Sequence, residues 1–287
     1  MIKAVILDVD GVIVGEKIGY NSPYPHSNVL RALKTVRGKG IPIALCTAKP
    51  HYAIQEIIKR ADLHNPHIAD AGAVIIDPID NIFVEEHIIE KTLAKKVLET
   101  CMQNKIYVEF YTVDDYFIQR SEISAITKKH AHILQRKPKE LTDAVKESTK
   151  YSITKIMPIS LNEDDKKRVS KVLTQFDNEL SISWGVHPVA LPLQFGIVTA
   201  KGSSKKEGAE TIARSLKVPM EDVLGIGDST SDWKFISHCG YGATVSNGSK
   251  DLKDRLKSKD IGKYHISDKS VDQNGILEIL KYFSLIS

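Results

Sequence analysis

Residues 3–11, Lys-Ala-Val-Ile-Leu-Asp-Val-Asp-Gly, form an apolar run that ends in two acidic residues and a glycine. Such a run is typical of a strand buried on both faces of a parallel sheet. Residues i and i+2 of an extended chain point the same way, so Asp8 and Asp10 can face one small site. Gly11 would let the chain turn away beneath the two carboxylates. Ligands of open α/β sheets bind outside the carboxyl ends of the strands, which is where this pair lies.

The segments that follow alternate between helix and strand patterns. Residues 28–37 carry apolar residues at helical spacing, and residues 41–46 form a second apolar run that ends at Thr47. Pro50 fits the first turn of a further helix over residues 51–61. This alternation predicts an α/β fold with a Rossmann-like parallel-sheet core.

The pattern changes after about residue 84, which indicates an inserted α+β domain. We predict a core domain of residues 1–84 and 191–287 and an inserted domain of residues 85–190. The elements predicted in the insertion are helices over residues 87–103, 138–150 and 163–176 and strands over residues 107–111, 116–119 and 151–159. The core then resumes with a helix over residues 204–216, a strand over residues 223–226 and a helix over residues 231–237.

Composition excludes several classes of protein. Hydrophobic residues make up 42% of the chain and charged residues 26%, a balance that rules out bulk disorder. Three widely spaced cysteines argue against a disulfide scaffold or structural zinc and favour a cytoplasmic protein. A net charge of +4 without basic blocks argues against a nucleic-acid partner. No apolar run is long enough for a bilayer and the first residues do not form a signal peptide, so we expect no membrane association.

A second acidic pair, Asp228 and Asp232, follows another apolar run. Close carboxylates repel each other unless a proton or a cation lies between them. Two such pairs at strand ends of one sheet therefore indicate a shared divalent metal ion. Mg²⁺ prefers oxygen ligands and keeps coordination positions for phosphate oxygens.

Two further positions fit an anionic ligand. Thr47 offers a hydroxyl beside the free backbone N–H groups of a turn. Lys205 stands at the start of a predicted helix, where an ammonium can neutralise phosphate and carboxylate oxygens. Either residue alone would be an ordinary turn or surface residue, and the significance lies in their combination with the two acidic pairs.

Together these stretches resemble the haloacid-dehalogenase-like (HAD) superfamily hydrolases, specifically the Cof-like subclass IIB phosphatases. The motifs stand in the same order: DxDG, an apolar strand that ends in Thr, a large insertion, Ser-Lys, and GDxxxD. Further similarity to that subclass lies in residues 71–77, 196–205, 243–248 and 272–276. The resemblance covers the whole chain, most strongly residues 1–80 and 196–280.

The resemblance implies catalytic roles for the first acidic pair. Asp8 would be the nucleophile that forms an aspartyl-phosphate, and Asp10 the general acid/base. The implied cofactor is Mg²⁺, bound by Asp8, the backbone carbonyl of Asp10 and Asp228, with Asp232 supporting the metal site.

The resemblance also implies the phosphate-binding groups. Thr47 and the Ala48 amide would bind phosphoryl oxygens, and Lys205 would offset charge between nucleophile and phosphate. Three positions depart from the usual pattern of the subclass: Ala48-Lys49 replaces Gly-Arg, Ser231 replaces Asn, and Ala71 replaces Asn.

The resemblance predicts a phosphatase for a small phosphorylated metabolite, in particular a sugar phosphate, with the insertion acting as a substrate-selecting cap. The alternatives are a phosphatase for phosphoglycolate or another phosphorylated carboxylic acid, a phosphomutase, and a non-catalytic binding protein. The intact set of Asp8, Asp10, Lys205 and Asp228 argues against the last. The sequence indicates neither the physiological substrate nor the oligomeric state.

Several residues of the insertion and the core allow a simpler interpretation. His130 and His132 lack acidic or cysteine neighbours in sequence and are expected on an exposed helix. Cys46 is expected to be a small core residue. Aromatic residues of the insertion, Tyr107, Tyr111, Tyr116 and Trp184, are more often core residues than a substrate platform, with one or two of them facing the cleft. The candidates to face the cleft are Tyr116, Trp184 and His187.

Overall fold

The first predicted strand, β1 (Ala4–Leu7), lies inside a parallel sheet in the computed structural model, which describes residues 1–79 and 82–287. In spatial order the five strands of this sheet are β14 (Tyr264–Ile266), β13 (Tyr241–Thr244), β12 (Val223–Ile226), β1 and β2 (Ile43–Leu45). All neighbouring strands pair in parallel. The predicted Rossmann-like core is therefore confirmed.

Alternate side chains of β1 supply two apolar layers, one on each face of the sheet. Val5 and Leu7 pack in one buried cluster with residues of α1, α2 and α10, and Ala4 and Ile6 pack in a second with residues of α7, α8 and α9. These helices are α1 (Ser27–Gly38), α2 (Gln55–Ala61), α7 (Lys205–Ser215), α8 (Trp233–Ile236), α9 (Lys250–Leu256) and α10 (Ile276–Tyr282). Burial on both faces explains why the strand sequence is apolar throughout.

The strand order reverses between β1 and β12. The chain proceeds from β1 to β2 on one side, and from β12 through β13 to β14 on the other. The carboxyl ends of β1 and β12 therefore flank a topological switch point, where open α/β sheets bind ligands. Asp8 follows β1 directly, and Asp228 follows β12 after one glycine.

A small antiparallel sheet, which the sequence analysis did not predict, adjoins the core. It consists of β3 (His67–Ala69), β4 (Val74–Asp77) and β5 (Ile82–Glu86). A bridge between Cys46 and Ile68 connects β3 to the end of β2. The turn between β3 and β4 thereby lies beside the residues that follow β2.

The insertion forms a second sheet of six strands. In spatial order these are β10 (Leu180–Gly185), β11 (Gln194–Ala200), β9 (Lys155–Ser160), β6 (Tyr107–Tyr111), β7 (Tyr116–Gln119) and β8 (Lys139–Leu141). Its helices are α3 (Lys91–Gln103), α4 (Ala125–Leu134), α5 (Ala144–Ser148) and α6 (Glu163–Leu173). The predicted fold class, a parallel core with an inserted α+β unit, is thus confirmed.

From the strand pairing we propose slightly different boundaries for the insertion. Strand β5 pairs with β4 and extends to Glu86, two residues beyond the predicted end of the first core segment. Strand β11 begins after residue 190, the predicted end of the insertion, yet it pairs with β9 and β10. We therefore define the cap as residues 87–200.

One predicted helix of the cap is wrong. Residues 138–150 form the short strand β8 and the short helix α5 instead of one helix. Strand β8 is the outer strand of its sheet, and its Lys139 and Glu140 are exposed. Charged residues are common on edge strands, and in the sequence this charged segment has the pattern of the polar face of a helix, which explains the wrong prediction. The Asp143 side chain accepts a hydrogen bond from the Lys146 N–H and caps α5.

No helix within residues 1–79 and 82–287 is long and apolar enough to cross a membrane.

Candidate active site

The carboxylate of Asp8 lies at the end of β1 in contact with a lysine from α7. Its Oδ1 accepts the Val9 N–H at 2.7 Å, and its Oδ2 accepts a hydrogen bond from the Lys205 Nζ at 2.6 Å. Lys205 is the first residue of α7, and the Ser204 side chain caps that helix. The predicted lysine is therefore adjacent to the predicted nucleophile.

Asp228 and Asp232 lie beside Asp8, as the topology of the sheet predicts. Asp232 Oδ1 accepts a hydrogen bond from Lys205 Nζ at 2.7 Å, while its Oδ2 accepts the N–H groups of Asp228 and Ser229. Both oxygens of Asp232 are thus engaged by protein donors. By contrast, the Asp228 carboxylate makes no hydrogen bond with any residue that the structure describes.

This acidic cluster fits a divalent cation. Oxygen atoms of Asp8, Asp228 and Asp232 all lie within 4.8 Å of one another, and Lys205 is the cation bonded to two of them. Three carboxylates with one ammonium leave excess negative charge in a buried site, which a cation would offset. The Asp228 carboxylate is free to bind a metal ion, and each Asp8 oxygen accepts only one hydrogen bond. Asp232 is better suited to hold Lys205 with one oxygen and the turn at Ser229 with the other. Oxygen donors of this kind suit Mg²⁺.

The same crowding shifts the protonation equilibria. Burial raises the pKa of Asp8 to about 7, although Lys205 opposes this effect. Burial and the neighbouring carboxylates of Asp232 and Asp8 raise the pKa of Asp228 well above its usual range. Burial disfavours the Lys205 ammonium, but Asp232 and Asp8 outweigh that effect and raise its pKa. A cation bound here would favour both carboxylates in their ionised, ligating form.

Gly11 allows the chain to turn within this cluster. Its φ is +76°, a conformation that L side chains rarely adopt, and a Cβ atom added there would lie 2.0 Å from Asp228 Oδ2. Gly11 therefore meets two requirements, the backbone turn after Asp10 and the close approach of Asp228.

The carboxylate of Asp10 lies apart from the acidic cluster and faces two basic side chains. Its Oδ1 is 2.8 Å from Lys49 Nζ and 3.1 Å from His187 Nε2, although neither contact has the alignment of a hydrogen bond. Burial works against ionisation, but Lys49 and His187 outweigh it and hold the pKa of Asp10 well below its usual range. The carboxylate is therefore not free to bind a metal ion, whereas its main-chain oxygen accepts no hydrogen bond from the described residues.

The turn after β2, residues 47–49, has the features of an anion site. The Thr47 Oγ1 accepts the Lys49 N–H at 3.1 Å, which leaves the hydroxyl hydrogen available to a ligand. The Ala48 N–H has no acceptor within the described parts of the chain. We call residues 47–49 the phosphate-binding turn. Thr47 and Ala48 line the same cleft as Asp8, Asp10 and Lys205.

The cleft, about 810 Å³ in volume, lies between the phosphate-binding turn and the cap. Ser181, Ser183 and Gly185 of β10 line it with small side chains, together with the apolar Leu180 and Ile182. Trp184 does not line the cleft and packs against the helical side of the cap. The cap therefore presents both hydroxyl groups and apolar side chains to the ligand.

Two of the three cap residues expected to face the cleft do not line it. Tyr116 is 1% exposed, stacks on Tyr111 and donates a hydrogen bond from its hydroxyl to the Arg136 carbonyl. Trp184 lies on the opposite face of its strand, as described above. The side chains of a strand alternate between the two faces of the sheet, and the sequence alone does not show which face lies over the site. His187 does reach the site, where it contacts Asp10.

The expectation that His130 and His132 lie on an exposed helix is wrong for His130 and correct for His132. His130 is buried, and its Nδ1 lies 2.7 Å from Oε2 of the buried Glu109, while His132 is exposed. Glu109 holds further hydrogen bonds from the hydroxyls of Tyr107 and Tyr111. This network lies inside the cap. Cys46 is buried as expected, and burial raises the pKa of its thiol.

The basic groups around the site could not be predicted from the sequence. These are Lys49 and His187 at Asp10, and the buried pair of Lys155 and Asp70 beside the phosphate-binding turn. These pairs join residues far apart in the chain and have no local pattern. The Pro50 that follows Lys49 marks the turn but not the direction of the lysine.

Comparison with known proteins gives consistent results. The family model of haloacid dehalogenase-like hydrolases matches residues 5–280. Phosphatase YwpJ of Bacillus subtilis is 20% identical over 267 residues, covering 88% of this chain and 92% of that protein. The 5-amino-6-(5-phospho-D-ribitylamino)uracil phosphatase YitU of the same organism is 20% identical over 292 residues, covering 98% of this chain and 97% of that protein.

A solved structure described as a subclass IIB sugar phosphatase of the HAD superfamily has the same fold. It superposes with a TM-score of 0.79 at 20% identity over 99% of this chain and 100% of that chain. The fold, the motif order and the family match agree with the resemblance found in the sequence. The chain therefore belongs to the haloacid dehalogenase-like hydrolases, and the predicted family and enzyme class are confirmed.

Proposed function

We propose that this hydrolase is a Mg²⁺-dependent phosphatase that acts on a small sugar phosphate through an aspartyl-phosphate on Asp8. The observation that carries the proposal is the contact of Asp8 with Lys205 inside an acidic cluster, next to the free Ala48 N–H. An anion that enters the cleft would meet a carboxylate nucleophile, an ammonium and an amide donor at one point. The relatives named as phosphatases support this reaction class.

The chemistry needs two steps, each assigned to a residue of this chain. In the first, an oxygen of Asp8 bonds to phosphorus, the bond to the leaving oxygen breaks, and that oxygen takes a proton from Asp10. In the second, Asp10 takes a proton from water, the water oxygen bonds to phosphorus, and the bond to Asp8 breaks. Lys49 and His187 favour ionised Asp10, the form that acts as base. An incoming anionic phosphoryl group favours the protonated form required for the first step.

The metal ion would be held by the carboxylates of Asp8 and Asp228 and the main-chain oxygen of Asp10. When bound, Mg²⁺ supplies positive charge that stabilises the phosphoryl oxygens. Asp232 would orient Lys205 and the Ser229 turn around it. Thr47 and Ala48 would donate hydrogen bonds to the phosphoryl group, and Lys205 would reduce its repulsion from Asp8.

The cap face over the cleft supports a sugar as leaving group. Ser181 and Thr199 are paired across neighbouring strands, and Ser183 follows on the same face. Their hydroxyls can exchange hydrogen bonds with the hydroxyls of a polyol. The absence of a bulky side chain among Ser181, Ser183 and Gly185 leaves room for such a group.

A phosphorylated carboxylic acid is the second candidate, because three lysines besides Lys205 line the same cleft. These are Lys201, Lys206 and Lys234. An ammonium at the wall of the cleft would attract a second anionic group on the substrate. The preference between a neutral polyol and a carboxylate is therefore the property to measure.

A panel of phosphate esters, assayed with Mg²⁺ and with a chelator, tests the proposal. Sugar phosphates, phosphoglycolate and an aryl phosphate would be compared for the wild type, Asp8→Asn and the control Asp177→Asn. Asp177 also lines the cleft but lies outside the acidic cluster, so the same chemical change there should have little effect. We expect Asp8→Asn to lose at least about 1,000-fold in kcat, and the chelator to abolish turnover. Full activity of Asp8→Asn would disprove the covalent mechanism.

A further inference from the structure

We propose that Lys155 of the cap is a positioning residue that holds the phosphate-binding turn in its ligand-binding conformation. Lys155 begins strand β9, and its Nζ donates a hydrogen bond to the Ala48 carbonyl at 2.8 Å and to Asp70 Oδ1 at 2.6 Å. The cap therefore contacts the turn on the side opposite the ligand. This inference rests on the proposed role of Thr47 and Ala48 in binding phosphate.

Each carbonyl of the phosphate-binding turn has a donor from outside it. The Thr47 carbonyl accepts the Ala71 N–H and the Lys49 carbonyl accepts the Asp70 N–H, both at 2.9 Å. The Ala48 carbonyl accepts the Lys155 ammonium instead. With the carbonyls fixed on one side, the Ala48 N–H stays free for a ligand on the other.

The Ala48 carbonyl also controls the direction of the next amide. A peptide unit is planar, so the Ala48 C=O and the Lys49 N–H keep a fixed orientation to each other. The Lys49 N–H donates to Thr47 Oγ1, which directs the Thr47 hydroxyl hydrogen elsewhere. A donor at the Ala48 carbonyl thus sets the direction of the Thr47 hydroxyl through the Lys49 N–H. The Ala48 N–H lies in the peptide plane of the Thr47 carbonyl, which the Ala71 N–H holds in the same turn.

Lys155 is buried in a way that stability alone does not require. Its side chain is 0% exposed and that of Asp70 1%. The Thr154 hydroxyl donates to Asp70 Oδ2, and the Lys155 ammonium lies 4.0 Å from the centre of the Tyr111 ring. A buried ion pair is commonly no more stabilising than an apolar pair of equal volume. The feature that an apolar pair would lack here is the donor to Ala48.

The test uses a neutral double variant, Lys155→Met/Asp70→Asn, which removes the donor without leaving an unpaired buried charge. Inorganic phosphate binding in the presence of Mg²⁺ is measured by calorimetry, together with KM and kcat for an aryl phosphate. We expect the phosphate Kd and the KM to rise about 10-fold to 100-fold, with kcat changed less than about threefold. A smaller effect on kcat is expected because the phosphoryl group occupies the turn in the ground state as well as in the transition state.

The matched control is Glu109→Gln/His130→Asn, which replaces another buried polar pair of the cap with amides, and neither residue has a hydrogen bond to the turn. It should leave the phosphate Kd unchanged. A folded Lys155→Met/Asp70→Asn variant with the wild-type Kd overturns the inference. Should that variant not fold, Lys155→Leu/Asp70→Asn decides, because Leu also has no donor for the Ala48 carbonyl, and an unchanged Kd there refutes the inference equally.

The same experiment separates this inference from the proposed function. A wild-type protein that neither binds phosphate nor hydrolyses any ester contradicts the proposed function itself. A wild-type protein that does both, beside a double variant of equal affinity, contradicts only the role of Lys155.

Discussion

Protonation of the buried His67 should destabilise the protein in mild acid. His67 begins β3 and is fully buried, and its Nδ1 accepts the Leu45 N–H at 3.0 Å. A neutral ring satisfies this contact with its lone pair, whereas a protonated ring would direct an N–H at another N–H. Burial lowers the pKa of His67 to about 3. We therefore expect the folded protein to keep His67 neutral where an unfolded chain binds a proton.

The size of the effect follows from proton linkage. The ordinary histidine pKa of 6.5 applies to the unfolded chain, and a value of about 3 to the folded protein. The unfolded state binds more protons between these values, so this contribution is complete above the unfolded pKa and is lost as the pH falls toward the folded one. Between about pH 7 and about pH 4.5 the loss is roughly 2.5 kcal/mol in the free energy of unfolding.

The variant His67→Asn isolates this contribution, because the Asn Oδ1 can accept the Leu45 N–H and does not titrate. Urea unfolding followed by circular dichroism would be measured at the two pH values for both proteins. The variant loses packing at either pH, but the wild type should lose about 2.5 kcal/mol more than the variant on acidification. The exposed His132 provides a control, since His132→Asn should keep the pH dependence of the wild type. Equal acid sensitivity of wild type and His67→Asn would refute the linkage argument.

Three further predictions concern the site. Asp10→Asn should lower kcat/KM by about 100-fold or more for alkyl phosphates and by much less for an aryl phosphate, which needs little protonation of its leaving group. Equal losses on both would contradict the general-acid role. Gly11→Ala should weaken Mg²⁺ binding at least about 10-fold in a metal titration of activity, because the added Cβ would clash with Asp228 Oδ2 and displace that carboxylate. Normal metal affinity would contradict this geometry. Ser181→Ala/Ser183→Ala should lower kcat/KM about 10-fold for a sugar phosphate but not for an aryl phosphate, since only the sugar has hydroxyls to bind. An equal reduction on both substrates would exclude the cap face as the specificity element.

The core of the site could be predicted because its chemistry follows strand ends. Asp8 comes directly after an apolar run and Asp228 one glycine after another, and parallel strands bring their carboxyl ends to one edge. The β1 sequence also indicates burial on both faces, since Val5 and Ile6 alternate between two apolar layers. A local sequence pattern and the topology of the sheet are therefore enough to predict both the strand-end carboxylates and the burial of β1.

The surroundings of the site could not be predicted, because they depend on contacts across the two domains. Lys155 is 107 residues from Ala48 and 85 from Asp70, and no spacing relates them. The direction of the Tyr116 side chain could not be predicted either. It lies in a correctly predicted strand, but its face depends on the register of the sheet and on the Arg136 carbonyl that accepts its hydroxyl.

The structure divides the cap into parts with different consequences for catalysis. His187 and Lys155 contact Asp10 and Ala48, groups that every phosphate ester would use. Ser181 and Ser183 face the space that only the leaving group would occupy. Changes at the first pair should therefore lower kcat/KM for all substrates, and changes at the second should alter only the ranking among them. A cap with both kinds of contact cannot be exchanged for another by matching the leaving group alone, because the exchanged cap must also supply the donor at Ala48 and the basic group at Asp10.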